Sequence, residues 1–152
     1  MVKILLFLGY VFAAATGFMS NEPLGTLQSC AEQRSSFNLN NVVLTPYPVQ
    51  IGRQLVVTAR GNLSKRIAKG AQVQVVGKLG ILRIIDRKLD LCEEGAKVGK
   101  PCPVESGSVD LQVVQDIPKE APQTTLNLEI KATNADGTPI LCIRGDIQLR
   151  KP

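Results

Sequence analysis

The chain has 152 residues, a formal net charge of +5, no histidine, and only 4% aromatic residues. Without an imidazole there can be no Ser-His or Cys-His dyad and no histidine pH switch, so the common hydrolase constellations are excluded and any pH response must come from carboxylates. The moderate excess of Lys and Arg suits an anionic membrane surface, where each cation near the headgroups contributes roughly 1 kcal/mol; nucleic acid is not expected, because no platform of interleaved aromatic and basic residues is present.

The first residues read as a targeting segment. Met1 to Lys3 is a short basic start, Ile4 to Ala15 is an almost unbroken apolar run, and small residues follow at Ala13, Ala14, Ala15 and Gly17. This is the pattern of a secretory signal peptide. The apolar run is about a dozen residues, short of the ~20 that a membrane span requires. We therefore expect a signal peptide over residues 1–17, cleaved after Ala15 or Gly17, and a single soluble domain over 18–152. Its destination would be outside the cell or the lumen of a vacuole or lysosome.

Four cysteines in a chain routed through an oxidising compartment read as two disulfides, with three pairings open in principle. The expected pairs are Cys92 with Cys102, closing a short loop, and Cys30 with Cys142, tying the start of the domain to its last strand. Zinc is not expected, since the cysteines lack paired close spacings and no histidine can assist. Asp86, Asp90, Glu93 and Glu94 match no calcium-loop spacing, and no nucleophile or redox cofactor is suggested.

In chain order, the stretch before Ser35 is polar and irregular, and is expected to strap the outside of the fold at Cys30. Phe37 to Leu44 is apolar and ends at Thr45-Pro46-Tyr47-Pro48, because proline supplies no ladder donor. Gln54 to Gly61 alternates, with Leu55, Val57 and Ala59 on one face, as a half-buried strand does. Asn62-Leu63-Ser64 is a glycosylation sequon, expected on a surface loop. Lys65, Arg66 and Lys69 crowd the same connection, either as a membrane-docking patch or as an ordinary solvated loop.

Val73 and Val75 form the next inward row, followed by bends at Gly77 and Gly80 and a strand from Ile81 to Ile85. A polar loop, expected to contain no helix, separates Cys92 from Cys102. Val109, Leu111 and Val113 continue on one face until Ile117-Pro118 breaks the strand. Leu126, Leu128, Ile130 and Ala132 are the inward side of another, and Asp136-Gly137 turns into the last. There Leu141, Ile143, Ile147 and Leu149 point inward and Cys142 outward. Arg144-Gly145-Asp146 spells an integrin-type tripeptide, but inside a strand. Roughly seven short strands imply an all-β fold, most economically an immunoglobulin-like two-sheet sandwich. From the residues alone its apolar inner faces fit a closed core, as in an adhesion module, or a slot.

The ordered set Cys30, Thr45-Pro46, Gly52, Leu55, Gly61, Gly70-Ala71, Lys78-Leu79-Gly80, Asp90-Leu91-Cys92, Cys102-Pro103 to Gly107, Ile117-Pro118 and Cys142 resembles the ML lipid-recognition domain family. Within it the pattern is most similar to the fungal phosphatidylglycerol/phosphatidylinositol transfer proteins, relatives of the soluble Niemann-Pick type C sterol carrier. One local cysteine pair frequent in the family is absent, and Leu79 stands where members tend to have an aromatic. The resemblance implies a sandwich that opens between its sheets to hold one phospholipid or sterol. The slot would be lined by Leu55, Val57, Val73, Val75, Ile81, Val109, Leu111, Leu126, Leu128 and Ile130, with a mouth at Val104, Ile117 and Pro118. Lys78, Lys100 or Lys119 would meet the headgroup there, and the carrier would act as a monomer that touches anionic membranes transiently.

Overall fold

Period-two alternation dictates strands, and strands dominate. The computed structural model describes residues 27–31 and 33–152, so the expected signal peptide lies outside the described residues. These form β1 (Gln28–Ser29), β2 (Phe37–Thr45), β3 (Val49–Gln50), β4 (Gln54–Leu63), β5 (Gln72–Leu79), β6 (Leu82–Asp90), α1 (Leu91–Lys97), β7 (Gly107–Asp116), β8 (Thr124–Thr133) and β9 (Pro139–Arg150). One sheet runs β1-β9-β8-β5-β6, with β3 paired to β9, and the other runs β2-β4-β7. All pairings are antiparallel except that of β3 with β9. The expected all-β sandwich is what the chain forms.

Residues directly opposed in a ladder stand on the same face of the sheet, so the register sorts the side chains. In the smaller sheet, Val42, Ala59 and Leu111 form one inward row and Leu44, Val57 and Val113 the next. In the larger sheet, Leu141, Ala132, Val73 and Leu89 make one row, and Ile143, Ile130, Val75 and Arg87 its neighbour.

The fully packed core is split between the two ends of the sandwich. Leu44, Val49, Leu55 and Ile147 form one cluster, joined by Tyr47, Ile117, Leu128 and Leu149. Leu63, Ala71, Ala132 and Ile140 form the other, joined by Phe37, Ile67, Val73, Leu91, Val104 and Val109. The chain crosses between sheets at the first of these ends, where Val49 of β3 is buried against β9.

Two local expectations change. The loop between Cys92 and Cys102 contains α1, because Asp90 caps it: its carboxylate accepts from the N–H groups of Cys92 and Glu93, at 2.8 and 3.0 Å. Glu93 and Glu94 in the first turn and Lys97 in the last complement the helix dipole. The strap before β2 contributes its own short edge strand, β1, beside β9. Both expected disulfides are formed, Cys30–Cys142 with a Cα separation of 4.9 Å and Cys92–Cys102 with 5.2 Å.

Candidate functional site

The space between the two end clusters is walled by inward side chains that belong to neither. Val75, Ile130, Leu111 and Val113 face the interior by register, yet each remains only half-buried. Protein cores pack to near crystalline density, so inward Val, Leu and Ile in a closed sandwich would lose their solvent surface. Here these four keep part of it, while Ile143 of the same row as Val75 and Ile130 is buried.

The sandwich is also asymmetric from side to side. Along one flank β2 and β9 approach closely, the β2–β3 connection crosses between sheets, and Ser36 donates its backbone N–H to Pro139 O at 3.1 Å. On the other flank β6 pairs only with β5, and β7 only with β4, among the described residues. No comparable approach joins these two free edges. At one end of this seam α1 and the stapled loop cover the gap, with Val104 bridged to Ile67 by reciprocal hydrogen bonds of 2.9 and 3.0 Å. At its other end stands the tip of the β5–β6 hairpin.

Most of the residues expected to line a slot do face the intersheet space. Leu55 and Leu126 are buried, while Val57, Val73, Val75, Val109, Leu111, Leu128 and Ile130 are half-buried. Three placements differ from the expectation. Ile81 is not between the sheets: it occupies the hairpin tip and is 98% exposed, with Leu82 at 66% and Ile84 at 50% beside it. The reason is the turn at Gly80, whose φ of +59° reverses the chain just before it.

Val104 and Ile117 cannot frame one mouth, because they pack against the clusters at opposite ends. Cys92–Cys102 holds Val104 at the covered end. Ile117 and Pro118 instead rim an open surface cleft of about 700 Å³ with Arg53, Asp116 and Lys119. The three lysines expected at a headgroup are scattered: Lys78 shares the outer face with Asn127 and Asp146, Lys100 follows α1, and Lys119 lies at the end cleft.

Asn62 lies within β4 instead of on a loop, opposite Asn38 and Ser108 on the outer face, and its side chain is exposed. Of the neighbouring cations Lys65, Arg66 and Lys69, the first two are engaged by carboxylates. Lys65 pairs with Asp136 at 2.6 Å and Arg66 with Glu105 at 3.4 Å. Arg144 and Asp146 of the tripeptide are likewise engaged within the sheet, by Glu129 and Asn127.

Several carboxylates are held below their ordinary range by such neighbours. The Lys65 ammonium, aided by the hydroxyl and N–H of Thr138, does so for Asp136. Lys131 and Arg144 do so for Glu129, and Arg83 with Gln74 for Asp86. Glu94 correspondingly raises Lys97. All are outer-face or surface arrangements.

Sequence reading missed two contributors. Asn134, 6% exposed, accepts from the N–H groups of Ala68 and Ala135 and donates to Arg66 O at 2.9 Å, tying the basic loop to the β8–β9 turn. Its signal is faint, since an Asn before Asp-Gly reads simply as turn composition. Arg87 escaped notice because its strand was expected to stop at Ile85, whereas β6 continues to Asp90.

The ML domain family model matches residues 26–149. The chain is 30% identical over 122 residues to the phosphatidylglycerol/phosphatidylinositol transfer protein of Mycosarcoma maydis, covering 79% of this chain and 63% of that one. To the protein of the same name from Kluyveromyces lactis it is 33% identical over 124 residues, covering 80% and 72%. The chain thus spans somewhat under two thirds of the first relative's length. Among solved structures, a Niemann-Pick type C2 protein from the Japanese carpenter ant superposes with a TM-score of 0.66 at 13% identity, covering 82% of this chain and 98% of that one. Chicken MD-1 complexed with lipid IVa gives a TM-score of 0.53 at 14% identity, covering 80% and 86%. Those structures share the fold. With the family pattern matched from the first described strand through the last, the chain belongs to the ML domain family.

Proposed function

We propose that the chain is a lipid carrier that holds one phospholipid, of the phosphatidylinositol or phosphatidylglycerol class, with its acyl chains between the sheets, and moves it between membranes without altering it. The observation that carries this reading is the half-buried aliphatic band lying between two packed ends and beside an open seam. Bringing one acyl chain of about fourteen methylenes into water costs on the order of 11 kcal/mol at ~0.8 per methylene, so a dry slot removes the main barrier to exchange. The names borne by the curated relatives point the same way.

Phospholipid is favoured over sterol by the walls. The aromatics Phe37 and Tyr47 pack at the two ends, leaving the middle band aliphatic. Flexible acyl chains conform to Val, Leu and Ile, whereas rigid rings gain most from flat aromatic walls. The exposed apolar tip of Ile81, Leu82 and Ile84, flanked by Arg83, suits brief insertion into an anionic bilayer at the end of the seam. Two disulfides accord with a secreted or luminal protein, and a glycan on Asn62 would project from the outer face of the smaller sheet, away from the seam.

Native mass spectrometry of protein purified from a eukaryotic secretory host tests the reading. A one-to-one phospholipid complex is expected. A protein that is empty, and that takes up nothing from added vesicles, would return the fold to a closed adhesion-type module. A released sterol would keep the carrier and overturn the cargo.

A further inference from the structure

The row Ile143, Ile130, Val75 crosses the inner face of the larger sheet and ends on the free edge at Arg87. Its neighbours on β6 that share this face are Ile85 and Leu89, both half-buried. By register, Arg87 is the one charged side chain on either inward face among the described residues; every other inward position in β2, β4, β5, β7, β8 and β9 is apolar or neutral. Its guanidinium makes no hydrogen bond or ion pair with any described residue, while its backbone lies in the β5–β6 ladder. The adjacent Asp86 stands on the opposite face and is engaged by Arg83 at 2.9 Å and Gln74 at 3.2 Å.

We propose that Arg87 binds the phosphodiester of the lipid headgroup at the β6–β7 seam, so that the headgroup sits at the middle of the open flank and the acyl chains run inward along Val75 and Ile130. The assignment rests on the carrier reading and adds the residue that orients the cargo. Guanidinium suits this role because it stays charged, is weakly hydrated for a cation, and has a planar fork that matches two phosphate oxygens. A cation at the boundary between an aliphatic slot and water meets the one part of a phospholipid that carries negative charge in the same relation to its chains. The competing role is edge protection, since inward charges on an edge strand discourage pairing with a second molecule.

The test uses the full chain with its disulfides intact, incubated with vesicles containing phosphatidylglycerol and diacylglycerol of the same acyl composition. Bound lipid is then counted by native mass spectrometry. Arg87→Gln is expected to lower the ratio of bound phosphatidylglycerol to diacylglycerol about tenfold, Arg87→Lys to lower it less, and Lys88→Gln, on the same strand but the opposite face, to leave it unchanged. Soluble glycerophosphoglycerol, which has the phosphodiester without the chains, is expected to displace no lipid at equal concentration. If it binds alone with the same dependence on Arg87, the residue serves a free phosphodiester and the lipid assignment falls. An unchanged lipid ratio in Arg87→Gln overturns the proposal, and the appearance of dimers in that variant would assign the residue to edge protection. Parent protein that takes up neither lipid would sink the carrier reading itself, a result distinguishable from loss of phosphate preference alone.

Discussion

The two flanks of the sandwich are finished by different means. On the β2 and β9 side the sheets are sutured: the chain crosses between them, β1 adds hydrogen bonds to β9, and Cys30–Cys142 locks that strand pair from outside. On the β6 and β7 side the chain crosses at one end only, through α1 and the Cys92–Cys102 loop, and along its nine residues β6 carries Arg83, Asp86, Arg87, Lys88 and Asp90 on an unpaired edge. Charge on a free edge keeps a second strand away without filling the space beside it. The contrast is between a flank tied by strand pairing and a crosslink and a flank whose two edge strands stay unpaired.

Removing the suture should have the largest effect. The Cys30–Cys142 crosslink closes a separation of 112 residues and Cys92–Cys102 one of 10. In the chain-entropy account the first is worth about 4–5 kcal/mol and the second roughly 3. Urea unfolding of Cys30→Ser/Cys142→Ser is expected to show the greater loss relative to Cys92→Ser/Cys102→Ser. Equal losses would remove the sutured flank's special standing. A paired core test follows. Leu63, 1% exposed at the covered end, should lose about 2–5 kcal/mol on truncation to Ala. Val75 on the half-open band should lose only about 1 kcal/mol, since its methyls are already partly in water. Equal costs would mean that the band is packed as tightly as the ends.

How legible this was in the sequence depends on the kind of signal. Period-two alternation placed Leu55, Val57 and Ala59, or Leu126, Leu128 and Ile130, on the correct faces, because sheet geometry leaves no other choice. The disulfides were legible as a likeness of compartment and spacing. The site was less so. Ile81 sits in an apolar run but faces solvent, because a turn at Gly80 resets the alternation and a register shift between Gly77 and Lys78 resets it again. Arg87 shares the face of Ile85 and Leu89, but it lies beyond Ile85, where the strand was expected to end. Val104 and Ile117 lie close in sequence, yet the ten-residue strand β7 carries the chain from one end of the sandwich to the other between them. Helix α1 was announced by Asp90 and Glu93, the spacing of a capping box, but seven residues are too few to show a periodicity.

A smaller effect is expected at Asn134. Its amide satisfies Ala68, Ala135 and Arg66 backbone groups in a buried turn. Asn134→Ala should cost about 1–3 kcal/mol, because the partners lose their bonds and water has little access. Asn134→Asp restores the acceptor oxygen but offers no donor to Arg66 O, so chemical denaturation should place it between parent and Ala. A loss in Asn134→Ala within measurement error would show this end to be less rigidly joined than the hydrogen bonds imply.

The smallest effect concerns acid. Lys65 and Thr138 hold the Asp136 carboxyl below the ordinary carboxylate range in the folded chain. A folded-state pKa depressed below the unfolded value means that the unfolded chain binds the proton more readily. The contribution is therefore complete at pH well above about 4, the unfolded value, and is lost as pH falls from there toward the depressed folded value. Glu129 and Asp86 are shifted in the same direction, so parent stability should fall throughout this acidic window. In Asp136→Asn one of these contributions is gone. Melting temperatures measured from pH 6 to pH 2 should fall less steeply for the variant than for the parent, and the two curves should approach each other at the acid end. At neutral pH the gap should be small, since both Lys65 and Asp136 are about half exposed and water screens the pair. Parallel curves would mean that the Lys65 contact dissolves in solution, leaving Asn134 alone to join the basic loop to the β8–β9 turn.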